Sequence, residues 1–220
     1  HGSGAITTSF GGTGGVVGIN REGAVSDSYA TGAVVLSSAP PYLIGAGGLV
    51  GSNNGSILRS FATGSVDAPG SAGGLVGFNY LGVIGQSYAT GQVSGTDAIG
   101  GLVGWNRAEV TESYATGPVA GVTRVGGLVG KAEFGSVVSS CYWDSYSTGQ
   151  SAGVGEAGST LVSNVLAVTS DPAQSGAANY AFSAGGYGNF QAGGESDVDS
   201  IGGQNLTWRI YAGYTYPLLK

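Results

Sequence analysis

Charge is scarce in this chain: 9% of its 220 residues are Asp, Glu, Lys or Arg, against roughly 25% in soluble globular domains. The seven basic residues stand singly, at Arg21, Arg59, Arg107, Arg124, Lys131, Arg209 and Lys220. Nothing therefore tracks a phosphate backbone, and nucleic acid is excluded as a partner. Methionine is absent, and the one cysteine, Cys141, excludes an intrachain disulfide. The one histidine, His1, opens a His-Gly-Ser-Gly run that reads equally as a cloning scar, so no chemistry is placed on it. No apolar run approaches the 18 or so residues of a spanning helix, and no cationic segment precedes an apolar one. A soluble chain with no membrane insertion and no export signal in this stretch is expected.

What is abundant is glycine, with 45 residues, and 41% of the chain is apolar. Mean hydropathy is +0.17. Disorder needs low hydrophobicity with high charge, so a core must form. Repeated stretches show how. Gly-Gly-hydrophobic-Val-Gly occurs at 14–18, 47–51, 73–77, 100–104 and 126–130, with offsets of 33, 26, 27 and 26. Ser-aromatic-Ala-Thr-Gly follows at 28–32, 60–64, 87–91 and 113–117. The longer first offset is taken up by residues 36–46, where Ala39-Pro40-Pro41-Tyr42 cannot continue a central strand and reads as a loop.

Within each unit an apolar pair such as Leu75-Val76 leads to Asn20, Asn53, Asn79 or Asn106, then a turn, a β-branched residue, the Ser-aromatic run, a Gly corner and another Val. Strands this short cannot stand alone. Stacked coil on coil, each pairs with its copies above and below at about 4.8 Å per coil. The expectation is an all-β parallel β-solenoid (β-helix) of about five 26-residue coils over residues 1–149, with apolar ladders inside, Asn ladders hydrogen-bonded along the axis at the turns and Gly supplying positive φ at bends. Residues 150–220 are expected to cap it. Apolar residues at 161, 162, 165, 166 and 168 have the spacing of a short helix, Asp171-Pro172 that of a second helix start, and Trp208, Tyr211 and Leu218 are expected on the terminal coils.

Gly-Gly-Leu-Val-Gly-x-Asn and Ser-Tyr-Ala-Thr-Gly resemble the GLUG repeat over residues 14–149. That repeat is known from large bacterial exoproteins, including filamentous-haemagglutinin-like adhesins exported by two-partner secretion, and from non-catalytic parts of some IgA-specific metallopeptidases. Ser140-Cys141-Tyr142-Trp143-Asp144 and the Trp208 to Leu219 stretch are similar to sequence that follows such repeats in the adhesins. The resemblance implies a right-handed, monomeric module, secreted or on the bacterial cell surface, exported through an outer-membrane transporter and adhering to a glycan, host receptor or biofilm. A spacer stalk and a carbohydrate-active β-helix enzyme are the alternatives.

Unit five departs from the pattern: Ala132 replaces the Asn, and Cys141 is read at the aromatic position. Tyr29, Phe61, Tyr88 and Tyr114 should form one column; facing out it would be a sugar platform, facing in it would be core. The core reading is preferred because Phe61 lacks a hydroxyl. The Thr31, Thr63, Thr90 and Thr116 column is too narrow for an ice lattice. Glu195, Asp197 and Asp199 alternate as calcium ligands do, with a solvated acidic loop the plainer reading. Asn54 and Asn205 head glycosylation sequons. Cys141 has no base beside it in sequence and reads as a buried small hydrophobe. The acids Asp27, Asp67, Asp97, Glu109, Glu112 and Glu133 fall mostly at different positions in their units, and no His-Glu-x-x-His occurs. No catalytic, cofactor or metal residue is assigned, and no enzyme activity is expected.

Overall fold

A run of Gly, Leu and Val closed by Asn makes strands of two to four residues, because each Gly or Asn bends the chain before a longer strand can form. In the computed structural model, which describes residues 1–8, 12–38, 45–182, 186–187, 198–199, 207–209 and 215–219, a central coil consists of Ala72–Gly73, Val76–Asn79, Val83–Gly85, Tyr88–Ala89 and Val93–Gly95. Each strand pairs in parallel with its equivalents one coil up and down: Val76 with Val50 and Val103, Tyr88 with Phe61 and Tyr114, Val93 with Val66 and Val119. The outcome is the expected β-solenoid of about five turns. The long first offset leaves the register untouched, since Thr13 pairs with Ala46 and Val17 with Val50. Residues 39–44 of the expected loop lie outside the described residues.

The interior holds two apolar columns. One is built on Leu49, Leu75, Leu102 and Leu128, all fully buried and linked by Leu49 N donating to Leu75 O and so on down the stack. The other holds Val34, Val66, Val93 and Val119 beside Ala46, Ala72 and Ile99. Asn20, Asn53, Asn79 and Asn106 form a buried ladder: each Nδ2 donates to the next Oδ1 at 2.9–3.0 Å. Each Nδ2 also bonds a carbonyl of its own turn, satisfying a bend that would otherwise leave buried groups unpaired.

Glycine does a different job from the one expected. Among the described glycines only Gly135 and Gly149 have positive φ, whereas the recurrent left-handed corner is held by Asp27, Arg59, Gln86, Glu112, Ser140 and Asn164, at φ of 46 to 52°. The repeat glycines are there because coils lie too close for a Cβ. At Gly74 one would meet the Gly101 carbonyl oxygen at 2.2 Å and the Ala89 methyl at 2.7 Å. The corner side chains are partly or fully exposed and pair along the stack, Arg59 with Asp27 and Gln86 with Glu112, which helps to offset the left-handed backbone.

Coil pairing runs past residue 149: Val154–Ala157 pairs with Val129–Ala132, and Leu161–Val168 with Val137–Asp144. The helix expected near 160–168 is thus a strand. Its left-handed residue, Asn164, resets the inside–outside alternation, so apolar residues fall three apart as they do in a helix. Ser140 does the same one coil above, where Val138, Cys141 and Trp143 all face the interior. Asp171 caps only a single 3₁₀ turn, Pro172–Gln174, and a four-residue α-turn, Ser145–Thr148, is capped by Asp144.

Replacing Asn79 by Ala leaves Asn53 Nδ2 and Asn106 Oδ1 each one partner short inside the stack. A loss of about 1–3 kcal/mol in urea unfolding is expected, larger than for the exposed Asp67→Ala; equal losses would contradict the role of the ladder.

Candidate functional site

The Tyr-Ala strands decide the direction of the aromatic column. Successive residues of a strand point to opposite faces, and Ala30, Ala62, Ala89 and Ala115 are fully buried against the leucine column. The rings therefore point away from the coil interior; the core reading holds for Tyr88 and Tyr114, which are buried in a second apolar cluster outside the coil, and is corrected for Tyr29 and Phe61. Its flaw was to take a missing hydroxyl as a sign of burial, when the small Ala was the signal: only a methyl fits opposite Gly48, Gly74 and Gly101. Tyr29, Phe61, Tyr88 and Tyr114 stack with centroids 4.8–5.1 Å apart and planes within 6°. Tyr142 continues the column, pairing with Tyr114. Cys141 stands not at the aromatic position but at that of Ser113, where its thiol donates to Ser139 O at 3.1 Å as Ser113 Oγ does to Thr111 O.

The column changes character along its length. Tyr29 is 38% exposed and Phe61 half-buried, whereas Tyr88 and Tyr114 are 6% and 1% exposed. The lower rungs are covered by Tyr187, Trp208 and Tyr216. Trp208 thus packs on the flank of the middle coils, not on the end of the stack, and Leu218 is 36% exposed. Tyr114 donates its hydroxyl to Pro217 O, and Tyr216 to Asp144 Oδ2 at 2.6 Å. Buried Asp144 also accepts from the Tyr146, Ser147 and Ser170 amides through Oδ1, so one carboxylate ties the last coil to the returning chain. Beside the open end, Arg59 donates from Nε and Nη2 to Asp27, holding that carboxyl below the usual range.

A second surface group escaped the sequence reading. The outward positions of the Val–Asn strands run Ile19, Ser52, Phe78, Trp105, Lys131 and Glu156 in register. The residues after the Asn ladder add Tyr80, Arg107 and Glu133. Phe78 packs on Trp105 and Tyr80, with centroids 5.3 and 5.6 Å away. Lys131 Nζ lies 4.5 Å over Trp105 and bridges Glu133 at 2.7 Å. The Arg107 guanidinium lies between the Phe134 ring, at 3.8 Å, and the Tyr80 ring, at 4.8 Å. The signal was available: in a strict repeat, the letters that vary are those that face out.

Of the other singled-out positions, Thr31 and Thr63 are exposed and Thr116 is buried, so the threonine column is not one open face. Asn54 is half-buried at its turn. Glu195, Asp197, Asn205 and Tyr211 lie outside the described residues, and Asp199 falls in the two-residue strand Val198–Asp199. Among the described residues no group of three His, Cys, Asp or Glu is placed to hold a metal. Asp97 is pushed up by burial but, on balance, held below its usual range by the Arg124 fork and the Thr123 hydroxyl.

Residues 68–94 match the family model for the GLUG motif. The match spans one turn of the stack, from Ala68 through the Asn79 bend and the Tyr88 rung to Ser94, and marks this part of the chain as a GLUG-repeat segment. The flanking coils register on the GLUG coil residue for residue. No curated protein and no solved structure matches the chain.

Burial keeps the Tyr88 and Tyr216 hydroxyls protonated up to about 12, against an ordinary value near 10, and the Cys141 thiol up to about 12 against 9. The unfolded chain loses these protons first, so the stabilisation is complete below about pH 9 and disappears as pH rises toward about 12. The thermal midpoint should be level at neutral pH and fall through that window; a midpoint that holds or rises there would contradict the buried ladder.

Proposed function

We propose that this chain is a non-catalytic binding module of a bacterial surface or secreted adhesin, with the open end of the aromatic column, Tyr29 and Phe61, as a platform for glycan. The GLUG segment and the β-solenoid fit an extracellular repeat module, and the resemblance described above points to export by two-partner secretion. The observation that carries the adhesive reading is the outward column itself. Rings stacked face to face about 5 Å apart turn an apolar strip of ring edges outward, and apolar faces of sugar rings pack against such a strip. The Arg59–Asp27 pair sits on the same two coils and supplies donors and acceptors for hydroxyls.

The reading is non-catalytic because the carboxylates beside the column are already engaged. Asp27 is committed to Arg59, Glu112 accepts from Gln86, and Asp144 is saturated by backbone amides and Tyr216. A spacer role for the same stack is favoured by one observation, the sealing of Tyr88 and Tyr114 under the returning chain. On that view the column is glue for the cover.

A glycan array separates the two. Adhesion predicts reproducible binding of particular glycans that falls about tenfold or more in the Tyr29→Ala, Phe61→Ala double variant, with the β-sheet circular dichroism retained and the thermal midpoint only modestly lowered by loss of the Phe61–Tyr88 stack. An array without hits, or hits indifferent to the double variant, favours the spacer. Release of shortened glycan from any hit would establish an enzyme instead.

A further inference from the structure

We infer that the outer face of the Val–Asn sheet carries a second site, in which Arg107 takes the carboxylate of an acidic polysaccharide while Tyr80 and Phe134 contact the sugar that bears it. The inference rests on the reading of the chain as a glycan-binding module but concerns a different face from the Tyr29 and Phe61 platform. Three described cations of this chain hold carboxylates. Arg59 and Arg124 each present Nε and Nη2 side-on to an aspartate, Asp27 and Asp97, and Lys131 bridges Glu133 and Glu156. Arg107 has the same fork but no carboxylate in it. Its Nε is buried without a hydrogen-bond partner, as is the indole N–H of Trp105 on the same coil. A buried donor left unpaired is unfavourable, and here the missing partner is an anion of the shape the chain itself uses twice.

The surroundings choose the anion. Glu133, the nearest acid along the coil stack, is turned to Lys131, and Glu109 is exposed two residues beyond. Phe134, 62% exposed, sits at a two-residue left-handed turn with Gly135, at φ of 60 and 73°. Tyr80 and Leu81 are 37% and 68% exposed. In a uronate the carboxylate hangs directly from the pyranose ring, so seating it in the guanidinium fork brings the ring's apolar face against the exposed Phe134 and Tyr80 rings beside it. An aspartate or glutamate carries its carboxylate on a thin stem and would leave these flat faces uncovered. Arg is required over Lys because the fork, not the charge alone, reads the carboxylate.

Calorimetric titration of the whole chain with a galacturonate oligosaccharide, its methyl ester and a polyglutamate peptide tests this. Binding of the galacturonate is expected, weaker by about tenfold or more for the ester, for polyglutamate and for Arg107→Lys. The Tyr29→Ala, Phe61→Ala double variant should bind galacturonate as the parent does, so this site and the platform fail separately. Arg107→Gln, checked by circular dichroism for an unchanged fold, should lose binding as Arg107→Lys does. No galacturonate binding, equal affinity for ester or polyglutamate, or parental affinity in Arg107→Lys would each overturn the inference.

Discussion

Parallel hydrogen bonding between equivalent residues of successive coils is the interaction on which everything else in this protein stands. It fixes the distance between like side chains at about 4.8 Å, and that spacing suits only certain residues. Planar rings stack, Asn amides link donor to acceptor, leucines pack in file, and glycines let backbone meet backbone. A fold with 9% charge and no disulfide holds together because each residue type repeats where repetition is favourable. Like charges would repel at this spacing, and where charge does enter a column it alternates in sign, as in Asp27 over Arg59.

The same geometry sorts surface from interior. Opposite Gly48, Gly74 and Gly101 the Ala methyl already fills the space between coils, so in these coils Ala turns inward and the neighbouring aromatic turns out; in the last coil Trp143 takes the Ala position against Gly127. The chain then has two lines of side chains that point away from the coil interior, with different chemistry. One is a uniform aromatic column whose lower half is sealed by the returning chain through Tyr187, Trp208 and Tyr216. The other is a mixed line of Phe78, Trp105 and Lys131 flanked by Arg107, whose composition changes at every coil. Uniformity in the first is explained by stacking alone, whereas variety in the second is not required by the fold and leaves room for recognition.

The coil count, the register and the Asn and Leu ladders were legible because periodicity is a property of the sequence itself. What escaped was whatever depends on a neighbour distant along the chain. Positive φ at Asp27, Arg59, Gln86 and Glu112 leaves no compositional trace, since none of the four is the Gly or Asn that marks such a corner. A left-handed corner also made Leu161–Val168 resemble a helix: Asn164 breaks the two-residue alternation that marks a strand. The direction of the aromatic column could have been read from the invariant Ala beside it. The Arg107 group was legible too, in the variable letter before and after each Asn, but only once the constant letters were known to point inward.

Cross-linking tests the in-register stack most directly. Val83 and Glu109 are paired on adjacent coils, and Ser56 lies one coil further from Glu109 in the same file. Cys141 is fully buried and takes no part. A disulfide needs Cα atoms within about 7 Å, which one coil of about 4.8 Å allows and two coils do not. Oxidation of the Val83→Cys, Glu109→Cys variant should close a bond in nearly every molecule, and the Ser56→Cys, Glu109→Cys variant should stay reduced. Closure of the second pair, or failure of the first in a folded chain, would show that the coils are not stacked as described.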